Sequence, residues 1–226
     1  MSELKKVLLL IGSAKTERST SEVLGNYVLD KLTRNGFTSK TVFARKLLKP
    51  AKNMTEFLSS VAEADLIILA FPLYIDCLPY TVINALEHIA DDRRKRNITK
   101  KQSLTCIVNS GFIECFQNNT AVAICEKFAR EAGFNWIGGL ALGGGGAISG
   151  RDLTKVGKPA RFVVKSLDLA ADALANDKPI PKEAIELMAK QPMPRWLYLF
   201  IANRIWKNMA KKYGTRKILD AKPYLS

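Results

Sequence analysis

The chain has 226 residues, 47% of them apolar and 25% charged, values that fit a folded domain with a sizeable core and exclude a globally disordered chain. The formal net charge is +14, a field that draws phosphate-bearing ligands, nucleic acid or anionic membrane without choosing among them. The four cysteines, Cys77, Cys106, Cys115 and Cys125, form no C-x-x-C pair, which argues against a zinc or disulfide framework and reads as free thiols in a reducing compartment.

In chain order, the first apolar run is Val7 to Ile11. Five residues are too few for a signal peptide or a membrane span, so the expected location is the cytoplasm. The run reads as a strand. Ser21 to Leu32 follows with Val23, Leu24, Val28 and Leu32 on one helical face. A second strand is predicted over residues 41–44 and a short helix over 54–62, with Met54, Phe57, Leu58 and Val61 inward. The third strand covers 66–71 and its helix 80–90, the fourth 104–108 and its helix 120–132. The fifth strand covers 136–142 and its helix 160–175. Arg93, Arg94, Lys95, Arg96, Lys100 and Lys101 form a basic cluster between the third helix and the fourth strand.

Strand alternating with helix five times predicts an α/β fold with a doubly wound five-stranded parallel sheet. The nearly continuous apolar runs of the first, third and fourth strands suit burial on both faces. The expected strand order is 2-1-3-4-5, which opens a ligand crevice at the carboxyl ends of the first and third strands. Pro179 and Pro181 read as a linker. The chain is thus divided into a ligand-binding domain, 1–178, and a basic amphipathic helical tail, 179–226.

Three loops fall at the crevice. After the first strand, Ser13, Thr16, Ser19, Thr20 and Ser21 offer hydroxyls beside a helix N-terminus, and Lys15 and Arg18 add charge. This is the equipment of a monophosphate site, although a Ser/Thr-rich helix cap has the same composition. It is neither a Walker A loop nor a G-x-G-x-x-G loop. After the third strand, Pro72, Leu73, Tyr74 and Ile75 form a proline-stiffened loop suited to a planar heterocycle. After the fourth come Asn109, Ser110, Gly111 and Phe112, with room for close backbone approach and an apolar wall. Ordinary packing would equally account for Tyr74 and Phe112. The run Gly143 to Gly146 follows the fifth strand and reads as space near the ligand.

These motifs resemble those of the flavodoxin-like NADPH-dependent FMN reductase and NAD(P)H oxidoreductase family over roughly residues 4–175. The segment from Gly12 to Thr20 fits the spacing of a G-S-P-R-x-x-G-N-T loop, with Ala14, Lys15, Arg18 and Ser19 in place of Pro, Arg, Gly and Asn. Pro72-Leu73-Tyr74, Pro79 and Glu87 stand where that family has its P-x-Y loop and following helix. The resemblance implies FMN, with its phosphate on Ser13, Lys15, Ser19, Thr20 and Ser21. It implies the isoalloxazine against Pro72, Leu73, Tyr74, Ile75, Asn109, Ser110, Gly111 and Phe112. NADPH or NADH would donate hydride to the flavin, and a quinone, nitro, azo or flavin acceptor would receive it. Because the cofactor carries that chemistry, no catalytic side chain and no metal site are assigned. His88 reads as a surface residue. The family also implies a homodimer. Two other readings stay open: a flavodoxin-type electron carrier without nicotinamide turnover, against which the positive charge argues, and a non-enzymatic phosphate-ligand module.

From Gln191 to the end there are eight Lys and Arg against one acid, Asp220, a net +7. Leu199, Ala202, Trp206, Met209 and Tyr213 line one helical face, with Arg204, Lys207, Lys211 and Lys212 off it. The tail is expected to pack on its own domain, to pair in a dimer, or to make peripheral contact with an anionic membrane. Nucleic acid is the least favoured partner, since no binding motif accompanies the charge.

Overall fold

Nearly unbroken apolar runs form the centre of the sheet in the computed structural model, which describes residues 4–16 and 18–222. β1 (Lys6–Ile11), β3 (Leu66–Pro72) and β4 (Ser103–Asn109) are buried along almost their whole length. β2 (Thr38–Phe43) and β5 (Asn135–Leu142) are the edges. All pairings are parallel and the order is β2-β1-β3-β4-β5, as the sequence predicts.

The helices cover both faces. α1 (Thr20–Arg34), α6 (Arg161–Ala175) and α7 (Lys182–Met188) close one core with Leu9 and Ile11 of β1. α2 (Ala51–Glu63), α3 (Tyr80–Lys95) and α4 (Asn119–Glu131) close the other with Leu8 and Leu10. Alternate side chains of a strand point to opposite faces, so β1 feeds both cores. α5 (Leu153–Val156) is a single turn between β5 and α6.

Three differences from the sequence reading have physical causes. β2 begins three residues earlier than expected, because its first four residues are solvent-exposed and carry no apolar pattern. Residues 179–192 belong with the first unit, although the sequence places the tail boundary at 178. The Ile180 N–H donates to the Ile137 carbonyl at 2.8 Å, and Ile180, Ala184 and Met188 are core residues. Ser166 Oγ donates to the Ala184 carbonyl at 2.6 Å. The first compact unit therefore ends at Pro192 and the second begins at Met193.

The third difference is Arg93, which the sequence groups with its neighbours in a basic cluster. It is buried. Its Nε donates to the Ala132 carbonyl at 2.7 Å, one terminal nitrogen to Gly133 at 3.2 Å, and the other to Gln102 Oε1. The guanidinium lies 4.0 Å from the centroid of Phe134. Gln102 Nε2 in turn donates to the carbonyls of Val61 and Ala64, both at 2.6 Å. Burial pushes the Arg93 pKa below its ordinary value, yet an arginine stays charged under such a shift. The network ties α2, α3, α4 and β4 together by charge-assisted bonds to neutral acceptors. Arg93→Met strands Gln102 and two carbonyls, and is expected to lower unfolding free energy by about 2–4 kcal/mol. A urea midpoint unchanged from the parent would show the network to be dispensable.

Candidate functional site

The chain leaves β1 through a gap that only glycine fits. A Cβ on Gly12 would stand 2.3 Å from Val82 Cγ2 and 2.6 Å from Phe71 Cβ. The Gly12 N–H donates to the Ala70 carbonyl at 2.8 Å, holding the turn against β3. Ser13 follows, buried, and its Oγ accepts from the Lys15 N–H at 3.3 Å. Lys15 itself is exposed.

α1 starts with a capping box. Ser19 is extended (φ −100°, ψ 162°), its Oγ accepts from the Glu22 N–H at 3.1 Å, and the Glu22 carboxylate accepts from the Ser19 N–H at 3.4 Å. The box uses the N–H of the third helical residue. Those of Thr20 and Ser21, at the positive end of the helix, have no acceptor within the helix.

Asn109, the last residue of β4, fixes the floor. Its Nδ2 donates to Ser21 Oγ at 2.8 Å and to the Phe71 carbonyl at 3.2 Å, so one buried amide joins β4, β3 and α1. The backbone carbonyl of Asn109 accepts from the Leu73 N–H at 2.8 Å, which sets the course of the second loop. Behind it, Asn118 Nδ2 donates to Ser110 Oγ at 3.3 Å and to the Leu142 carbonyl at 3.2 Å. Ser110 accepts through its carbonyl from the Gly145 N–H at 2.8 Å. Thr20 Oγ1 reaches across to donate to the Gly145 carbonyl at 3.2 Å.

These loops enclose a cavity of about 240 Å³ at the carboxyl edge of the sheet. The first loop contributes Ser13, Lys15, Ser19, Thr20 and Ser21, the second Pro72, Leu73 and Tyr74, and the third Asn109, Ser110 and Gly111. Eleven of the thirteen residues expected at a ligand site are thus brought together. Ile75 and Phe112 do not line the cavity. Ile75 sits at the tip of a tight turn in which Tyr74 and Cys77 exchange backbone hydrogen bonds, and it is 98% exposed with φ +48°. Phe112 is 54% exposed; its carbonyl accepts from the Gly144 N–H, which turns the residue toward the loop after β5.

That fourth loop supplies Gly145, Gly146 and Ser149. The glycine run is legible in the sequence as space, but Ser149 is not, because nothing local marks a serine three residues past a glycine run. The loop is clamped onto the first by Gly150, where a Cβ would stand 2.0 Å from the Arg18 carbonyl oxygen.

Among the described residues, no acidic residue and no histidine lines the cavity. His88 lies on α3 with Nδ1 2.8 Å from the Asn84 carbonyl oxygen, exposed and away from it. Among the described residues no group of three His, Cys, Asp or Glu is placed to hold a metal ion. A larger cavity of about 440 Å³ opens at the opposite edge of the sheet, against Lys6, Lys40, Glu56 and Glu63. Its charges balance and it faces the amino ends of the strands, whereas α/β sheets of this winding bind ligands at the carboxyl ends. The smaller cavity is the candidate site.

Strand order and crevice define a flavodoxin-like fold. Solved structures agree. The FMN-dependent NADH-azoreductase of Bacillus anthracis str. Ames Ancestor in complex with FMN matches with a TM-score of 0.53 at 14% identity, over 76% of this chain and 100% of that one. The azoreductase of Bacillus anthracis str. Sterne matches with a TM-score of 0.51 at 14% identity, over 77% and 100%. Rubredoxin oxygen:oxidoreductase from the anaerobe Desulfovibrio gigas matches with 0.52 at 13%, over 76% of this chain and 35% of that one. No protein-family model matches the chain, and no curated protein matches it.

Because the Asn109 side chain joins three elements, Asn109→Ala is expected to cost about 1–3 kcal/mol of stability. Chemical denaturation of the variant checks this, and a loss below the error of the measurement would remove Asn109 from its place as the keystone of the floor.

Proposed function

We propose that the crevice binds FMN by its phosphate, and that the protein is an FMN-dependent oxidoreductase taking electrons from NADH or NADPH. The observation that carries this reading is a cavity at the N-terminus of α1, with two backbone N–H groups lacking helical acceptors and the hydroxyls of Ser13 and Ser19 around them. Such a donor set suits a doubly charged phosphate. Lys15, exposed at the rim, adds positive charge without being buried.

The volume supports the same division of labour. A cavity of about 240 Å³ falls below the roughly 300–1,000 Å³ of clefts that engulf a whole drug-sized ligand. It suits a phosphate and polyol chain, and leaves a ring system for the open mouth beside Tyr74 and Gly111. Tyr74 offers an aromatic face there, and Gly111 leaves open space where a side chain would stand. Bound FMN would supply hydride and electron transfer. The Bacillus anthracis azoreductase with FMN shares the fold and supports the choice of cofactor. The electron acceptor would be a small molecule such as a quinone, nitro, azo or flavin compound.

The test is a visible spectrum of the purified protein with FMN, followed by NADH or NADPH without oxygen. A bound-flavin spectrum that bleaches on adding either nucleotide is the expected result. Flavin that binds but does not bleach would make the protein an electron carrier, and absence of flavin binding would overturn the reading. Ser13→Ala is expected to weaken FMN binding by about 1–1.5 kcal/mol, roughly tenfold, read by flavin fluorescence titration.

A further inference from the structure

The second unit holds the longest helix among the described residues, α8 (Arg195–Lys212), followed by a 3-10 turn, Arg216–Ile218. At 100° per residue, Arg204, Lys207 and Lys211 fall within about 60° of one another. Leu199, Ile205, Trp206 and Met209 occupy the other side. This apolar side is open to solvent: Trp206 is 66% exposed, Ile205 54% and Leu199 48%. Trp196 and Phe200 fall within about 20° of Lys207, on the basic side, and are 71% and 61% exposed. Several large apolar side chains exposed together mark a surface that something covers.

Charge decides what covers it. The last 36 residues carry +7 of the chain's +14. A second copy of the tail would bring +7 against +7, since a twofold interface sets the same patch against itself. The remainder of the chain also carries +7, so neither arrangement within or between copies neutralises the helix. An anionic bilayer answers both demands at once. Its acyl boundary takes up an apolar face, its interface favours tryptophan, and its headgroups attract lysine and arginine within a Debye length. No described helix is long and apolar enough to cross a membrane. A helix lying in the interface plane accommodates apolar and basic residues side by side, because long basic side chains reach back to the headgroups while their neighbours insert.

We propose that α8 docks the protein on an anionic phospholipid surface, inserting Trp196 and Trp206 at the headgroup level and setting Lys207 and Lys211 against lipid phosphates. The proposal rests on the second unit alone and is independent of any flavin chemistry.

The full-length protein is mixed with vesicles of phosphatidylcholine alone or of phosphatidylcholine with phosphatidylglycerol, then sedimented. The expected result is co-sedimentation with the phosphatidylglycerol vesicles only, weakened by high salt, with a blue shift of tryptophan emission. Lys207→Glu with Lys211→Glu is expected to weaken binding by tenfold or more, on the order of what reversing two interfacial charges does. Trp196→Ala with Trp206→Ala is expected to abolish the blue shift and also weaken binding by roughly tenfold. Protein left in the supernatant with phosphatidylglycerol vesicles would overturn the proposal. So would tryptophan variants that bind as tightly as the parent, since charge alone would then explain attachment. A parent that is dimeric, becomes monomeric with the tryptophan substitutions and ignores vesicles would assign the face to a second copy instead. RNA that competes fully with vesicles for a parent showing no blue shift would likewise defeat it.

Discussion

The crevice exists because the chain winds one way from β1 and the other way from β3. α1 leaves β1 for one face of the sheet, and α3 leaves β3 for the other. Two neighbouring parallel strands whose following helices part in this way leave a gap at their carboxyl ends that no helix fills. Everything at the candidate site is an accommodation to that gap. Gly12 passes the chain between Phe71 and Val82, where any side chain would collide. Asn109 then spans what remains, one amide bonding to α1 and to the end of β3. A gap lined by backbone and amide dipoles must be filled by a polar ligand or by water, because unpaired buried polar groups are costly.

The sheet was legible because its central strands need apolar residues on both faces, and Val7 to Ile11 or Leu66 to Phe71 admit no other reading. Edge elements were less so. β2 shows its first four residues to solvent, so Thr38 to Lys40 carry no period. α7 has seven residues, with its buried positions at Ala184, Leu187 and Met188, too short a run to separate from a linker between Pro181 and Gln191. Arg93 sits in a run of four basic residues, and nothing in such a run tells which one turns inward. The structure shows why it is this one: it alone reaches the Ala132 and Gly133 carbonyls and the ring of Phe134.

The site was legible to the extent that it is local. Ser13, Ser19, Thr20 and Ser21 follow directly on β1, and position after a strand is a sequence property. Ser149 enters from beyond β5 through a contact between distant loops, which only the fold creates. Ile75 fails for a different reason. The residues flanking it close a two-residue turn in left-handed backbone, a conformation that a β-branched residue adopts at a cost, and the turn throws its side chain outward. Proline and aromatic content announced a shaped loop, but they did not say which residue would form its tip.

Charge is distributed unevenly between the units. Within the first unit it is spent on structure: Arg93 binds carbonyls, and Lys100 lies 2.9 Å from Asp65. Burial pushes the Asp65 carboxyl up, but the Lys100 ammonium and the Lys6 N–H outweigh it and hold the pKa below the ordinary 3.8. A carboxyl depressed on folding contributes stability above its unfolded pKa and loses it as pH falls through the folded one. That pair therefore holds through neutral pH and fails only in acid. The tail has one acid for eight bases, so its charge is not consumed internally. A surplus of that size on an exposed helix opposes compaction and self-association, and persists at little cost only where an external anion meets it. On the proposed reading, the crevice would meet a small anion with dipoles and hydroxyls, which favour a fixed geometry. On the proposed docking, the tail would meet an extended one with long lysine side chains, which favour a surface without fixed geometry.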